Sequence, residues 1–207
     1  MRSALVLAAL GVVVLSGCAT HKAGAAAVVG EERLTESQLA EWSDELAGVY
    51  ADNPDAQQPP EDQLTLVLTS WWLNEQITLA LAEQEGVTAS ASEIDQLLGT
   101  DPAQRETASA QNAIPPSRLE AAAEYVVLRR SLGEALAAPG ASPEEADAAY
   151  LEALRSTADD LDVSVSPRFG VWNPDVPGVE PRALERLSRP AVTEQPEPAP
   201  APAPTGQ

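Results

Sequence analysis

Few residues in this 207-residue chain are equipped for chemistry, for it has one cysteine, Cys18, and one histidine, His21. A single Cys excludes an internal disulfide and a thiolate metal cluster. A Ser-His-Asp triad or a histidine-rich metal site would have to use His21. Asp159, Asp160 and Asp162 have a loop-like spacing, but they lack the Gly and distal Glu of a calcium-binding helix–loop–helix. Asp159 and Asp160 could also be read as glycosidase-like paired acids. On a helix end in an acidic chain they read more simply as solvated groups. No catalytic residue, metal ligand or cofactor is therefore assigned. The remaining candidates are aromatic. Trp71 and Trp72 are consecutive and on a helix point about 100° apart. Either both anchor a core together with Trp42, or one of them faces an apolar cleft. Such a side chain gives large contact area at low entropy cost, which suits loose binding of extended or unfolded segments.

The stretch that carries this pair runs over 64–85 and is apolar on most of its circumference. Leu64, Leu68, Leu73, Ile77, Leu79 and Leu81 are spread around it, and its only charges are Glu75, Glu83 and Glu85. Its length rules out an ordinary strand. Gly86 supplies a helix stop, and Pro60-Glu61-Asp62 a start. Asn74, Glu75 and Gln76 would fall in mid-bilayer, so a membrane span is disfavoured. The pattern predicts a central helix that other helices must wrap.

Overall composition narrows the partners. Lys and Arg number 12 against 32 Asp and Glu, a formal net charge of −20. That disfavours nucleic acid and direct contact with anionic lipid. Aromatics are 4% of the chain, so Ala, Leu and Val must build most of the core.

The N-terminus reads as an address. Arg2 precedes an apolar run over 4–15, of signal-peptide length and too short to span a bilayer. It ends in Leu15-Ser16-Gly17-Cys18, a spacing that resembles the bacterial lipobox. The resemblance implies diacylglyceryl attachment at Cys18 and cleavage just before it. Two or more acyl chains hold a protein stably at a membrane. The expectation is a signal peptide over 1–17, a lipidated tether over 18–25, and a cell-membrane location on the extracytoplasmic face.

Capping signals divide the rest of the chain. Residues 26–29 are small and β-branched and stop at Gly30; a second brief extended piece comes next. Thr35 and Gln38 fit a capping box for a first helix over about 36–50, with Leu39, Trp42, Leu46, Val49 and Tyr50 on one face. Ser90 and Glu93 open a short third helix over 91–98 after the central one. Residues 99–112 are polar, contain Pro102, and read as loop or weak helix. Ser117 and Glu120 are expected to cap a fourth helix over 118–136. Ser142-Pro143-Glu144-Glu145 starts a fifth, ending near 157–161. Residues 161–166 alternate as a half-buried strand, and their natural partner is 26–29. Nine of the eighteen prolines lie from Pro174 onward, and the tail over 174–207 is expected to be disordered or polyproline-like.

Three pieces resemble one family, the SurA and PrsA chaperone group. They are Ala27-Val28-Val29-Gly30-Glu31-Glu32-Arg33-Leu34-Thr35, then Leu79 through Gly86-Val87-Thr88 to Glu93-Ile94, and then Val163-Ser164-Val165-Ser166 running on to Phe169-Gly170-Val171-Trp172. Val29 stands where that family usually has Asn. The resemblance implies a peptide-binding helical module on the outer face of the membrane. That family often inserts a parvulin-type isomerase domain between its helices. The longest irregular insert here is far below the roughly 50 residues a domain needs, so isomerase activity is not carried over.

The sequence thus predicts a mostly α fold. About five helices form a bundle over 26–173, with a small two-stranded β pairing of its two ends. The expected function is a non-enzymatic, lipid-anchored chaperone that binds unfolded or exported polypeptides. Its apolar groove would involve Leu68, Trp71, Trp72 and Tyr125. An adaptor lipoprotein docking one specific partner is the alternative of another class, and a degenerate prolyl isomerase is the third.

Overall fold

The computed structural model describes residues 23–53 and 55–182. The order of elements is β1 (Ala25–Val29), β2 (Glu32–Thr35), α1 (Glu36–Asp52), α2 (Glu61–Glu85), α3 (Ala91–Leu98), α4 (Pro102–Asn112), α5 (Leu119–Leu136), α6 (Pro143–Asp160), β3 (Ser164–Val165), β4 (Val171–Asn173) and β5 (Gly178–Glu180). One 3-10 turn, Pro116–Arg118, precedes α5. The fold is mostly α, as the capping and periodicity signals predict.

α2 is the axis of the domain. It packs against α1, α5 and α6 and against β1 and β5. Leu64, Leu68, Leu73, Ile77 and Leu81 are buried along its length. A helix wrapped on several sides also buries polar positions. Thr69 and Thr78 solve this locally by donating to the carbonyls of Thr65 at 2.8 Å and Asn74 at 2.6 Å. Gly86 ends the helix in the left-handed conformation, at φ 67. Among the described residues no helix is long and apolar enough to cross a membrane.

Capping boxes form at Thr35 with Gln38, Ser90 with Glu93, and Ser142 with Glu145. Each satisfies backbone groups that the first turn leaves without partners. The two ends of the domain meet as expected. β1 pairs antiparallel with β3, with Ala27 opposite Val165 and Val28 opposite Ser164. β1 also pairs antiparallel with β2, so it is the middle strand of a three-stranded sheet of order β2-β1-β3. Gly30, at φ 56, turns the chain between β1 and β2 and donates its N–H to the Leu161 carbonyl at 2.8 Å. That bond ties the start of the domain to the end of α6.

The structure settles one open reading and departs from expectation in two places. Of loop or weak helix, the two readings of 99–112, residues 102–112 take the helix. Pro102 occupies the first helical position behind the Asp101 cap, where it starts a helix rather than breaking one. Ser117 does not cap α5. Its N–H and hydroxyl both donate to the Glu45 carboxylate on α1, at 3.0 and 2.8 Å. Finally, the folded part runs past Asn173. β4 and β5 form a hairpin, and Val179 of β5 is buried against α2 with its N–H donating to Ser70 Oγ at 2.7 Å. Asn74 and Arg155 donate to carbonyls of the hairpin turn at Pro177, Pro174 and Asp175. Pro174 and Pro177 therefore bracket a packed turn. The remainder of the Pro-rich segment, 183–207, lies outside the described residues, as do the signal segment, Cys18 and His21.

Candidate functional site

The aromatic residues expected to line a groove do not form one surface. Leu68 is fully buried and Trp72 is 6% exposed; both belong to the core around α2. Their assignment to a groove is corrected by that burial, because a side chain enclosed by its own domain has no face left for a ligand. Trp71, one position around the helix, is partly buried and packs edge-on to Trp42, with ring centroids 6.3 Å apart and planes at 79°. Tyr125 lies on α5 beside Tyr150. Tyr150 in turn shares a buried hydrogen bond of 2.7 Å with Thr78. Thr78 is about 10 Å along α2 from Trp71, so Tyr125 and Trp71 stand at different levels of the bundle.

What surrounds Trp71 is a polar lock. The Arg118 guanidinium lies over both indoles, 5.2 Å from the Trp42 centroid and 5.3 Å from that of Trp71. Its Nη2 donates to both oxygens of Glu75, each at 2.7 Å. Burial raises the Glu75 carboxyl above its ordinary range, and the Arg118 charge and hydrogen bond only partly offset this. With the Glu45–Ser117 bonds made by the preceding residue, α1 and α2 fix the approach to α5 through two carboxylates. Nothing in the sequence pairs these residues: Arg118 is 43 positions from Glu75, and such a separation carries no local signal.

The open surface of the domain lies elsewhere, along α5. A cleft of about 670 Å³ sits where α5 ends, α6 begins and the connecting turn passes Pro139. A second, of about 310 Å³, lies between α3 and α5. Val126 and Arg130 line both and stand between them, so the two clefts flank the same stretch of α5, and they are called the α5 trough below. Its apolar side chains are exposed, Leu97 at 52% and Val126 at 48%. α3 is amphipathic yet buries no residue fully, because it packs mainly on α5 and leaves half its apolar face uncovered.

The walls of the trough are held by charge pairs and by close helix contact. Arg129 on α5 donates to both oxygens of Asp147 on α6, at 3.0 and 2.9 Å. Arg130 reaches Glu93 on α3 at 2.9 Å. Ser90, through its hydroxyl and N–H, already holds Glu93 below the usual carboxylate range, and Arg130 adds to this. Gly133 lets α6 come close, since a Cβ there would stand 3.0 Å from the Ala146 carbonyl oxygen. The trough is lined by apolar and charged side chains together and offers contact rather than chemistry. Among the described residues no three His, Cys, Asp or Glu side chains converge as for a metal ion.

No protein-family model, curated protein or solved structure matches this chain.

Proposed function

We propose that the protein is a non-enzymatic, lipid-anchored holdase that binds unfolded or exported polypeptides outside the cell membrane, using the trough along α5. The observation that carries this reading is the exposure of Leu97 and Val126 beside the two clefts that flank α5. Apolar side chains left uncovered on a rigid trough favour partners that bring their own apolar groups. Small walls at Gly133 and Ala146 accept varied side chains, as a surface with many clients requires. Support for the envelope location comes from the Cys18 spacing, and support for the chaperone class from the family resemblance of 27–35, 79–94 and 163–172. The strongly acidic surface keeps a complex with an aggregation-prone client in solution.

The test is light scattering of a chemically unfolded client diluted into buffer with the unlipidated protein. Suppression at near-equimolar ratio supports the reading. Undiminished aggregation even in large molar excess removes it. An adaptor with one dedicated partner would give that second result.

A further inference from the structure

Cys18 stands five residues before Ala23, whose carbonyl accepts from Arg33 at 2.7 Å. At no more than about 3.6 Å per residue, that stretch spans at most about 18 Å. A lipid on Cys18 would therefore hold the start of β1 within that distance of the bilayer. Hydrogen bonds show which residues share this end of the sheet. The Gly24 carbonyl accepts from the Glu36 N–H at 3.1 Å, and the Ala26 carbonyl from the Ser166 N–H at 2.8 Å. Arg168, two residues beyond Ser166, bonds Glu36 at 2.8 Å. Pro167 lines one groove with Gly170, Val171 and Trp172. The other end of β1 has a different character. Gly30 bonds Leu161 there. Five exposed acids belong to these two turns, Glu31, Glu32, Asp159, Asp160 and Asp162.

We propose that the Gly24 end of the sheet is the membrane-facing surface of the domain and rests against phospholipid headgroups through Pro167, Val171 and the Arg168–Phe169 pair. Pro167 is exposed and Val171 is 51% exposed, so both are free to enter an interface. The Arg168 guanidinium lies 5.4 Å from the Phe169 ring centroid. An apolar body under a polar tip suits headgroup level, where the ring meets acyl chain and the guanidinium stays among phosphates. Charge sets the orientation. A chain of net charge −20 is repelled by an anionic bilayer over most of its surface. No acid occurs from Cys18 to Gly30, and Glu36 is matched by Arg168. The five acids of the Gly30 end then point away from the membrane. The inference rests on the proposed lipid anchor, since so small an apolar surface would not hold a protein to a bilayer alone. The short tether makes the contact intramolecular, so a weak attraction suffices to orient the domain.

The experiment places a photo-crosslinking residue at Val171, or at Glu31 of the far end, in the full chain expressed in cells grown with radioactive phosphate. Phospholipid carries that label in its headgroup, whereas a diacylglyceryl anchor contains no phosphate. Label that appears on the protein only after irradiation therefore counts captured lipid. About fivefold more label is expected at Val171 than at Glu31, because the tether keeps only one end at the headgroups. Pro167 gives a second position with the same expected result. Inserting about twenty Gly and Ser residues between Lys22 and Ala23 should lower the Val171 label severalfold, since effective concentration falls with tether length. Equal label at Val171 and Glu31, or none at Val171 and Pro167, overturns the proposal when the same chain incorporates labelled fatty acid. A chain that takes up no fatty acid overturns the anchor reading itself, and the headgroup contact with it.

Discussion

Arg118 donates from a single nitrogen to both carboxylate oxygens of Glu75, at 2.7 Å each, and Glu75 is 5% exposed. The pair joins the turn before α5 to the axial helix, and the two indoles pack on the guanidinium and leave the Arg118 side chain 26% exposed. Removing one partner of a buried pair strands the other charge. Arg118→Met should therefore destabilise the domain by about 3 kcal/mol at pH 7, within the range for broken buried pairs. The loss should shrink at pH 3.5. Burial already raises the Glu75 carboxyl, so stability tied to its neutral form is full below the unfolded carboxylate pKa. It is lost as pH rises through the folded one. Without Arg118 that folded value climbs further. Urea unfolding of parent and variant at the two pH values measures this; an equal loss at both contradicts it.

Tyr150 is 1% exposed and its hydroxyl meets Thr78 Oγ1 at 2.7 Å between α6 and α2. Burial, with the nearby Tyr125, pushes its ionisation well above that of a free phenol. Tyr150→Phe leaves Thr78 its bond to the Asn74 carbonyl. The cost should be about 1 kcal/mol, that of one net hydrogen bond. In alkaline titration followed by absorbance, Tyr150 should ionise only with unfolding.

Gly170 holds φ 123, and a Cβ there would collide with the Val179 side chain and the Glu180 carbonyl. Gly170→Ala should cost more than about 2 kcal/mol, combining backbone strain and overpacking. The hairpin should also loosen from α2. Faster hydrogen exchange at the Val179 amide, which Ser70 accepts in the parent, is the readout.

The proposed lipid anchor is tested independently of the fold. Cells expressing the chain should incorporate a labelled fatty acid into it, and Cys18→Ser should abolish the label. Retention of label in that variant contradicts the assignment of Leu15-Ser16-Gly17-Cys18 as a lipidation signal.

Local grammar accounts for what is legible in the sequence. Thr35, Ser90 and Ser142 each cap a helix with the acid or amide three residues on, because both groups of the motif lie within one turn. The pairing of 26–29 with 164–165 is legible because the chain offers few other strands to compete. Ser117 has the same spacing to Glu120, but Glu45 on a neighbouring helix captures it. Val179 gives no signal, because one buried valine between prolines has no period. The surface proposed for clients is illegible for a related reason. Periodicity shows α2 to be apolar all round, but burial of Leu68 and Trp72 depends on which helices cover it. The exposure of Leu97 and Val126 depends on which do not.

The central claim is that clients rest on the α5 trough. A photo-crosslinking residue at Val126 should capture an unfolded client in a 1:1 mixture. The same residue at Thr107, on the exposed face of α4, should capture little. Leu97→Glu, at an exposed site, should reduce the Val126 adduct severalfold without lowering thermal stability. Equal capture at Val126 and Thr107, or an adduct indifferent to Leu97→Glu, would contradict the account.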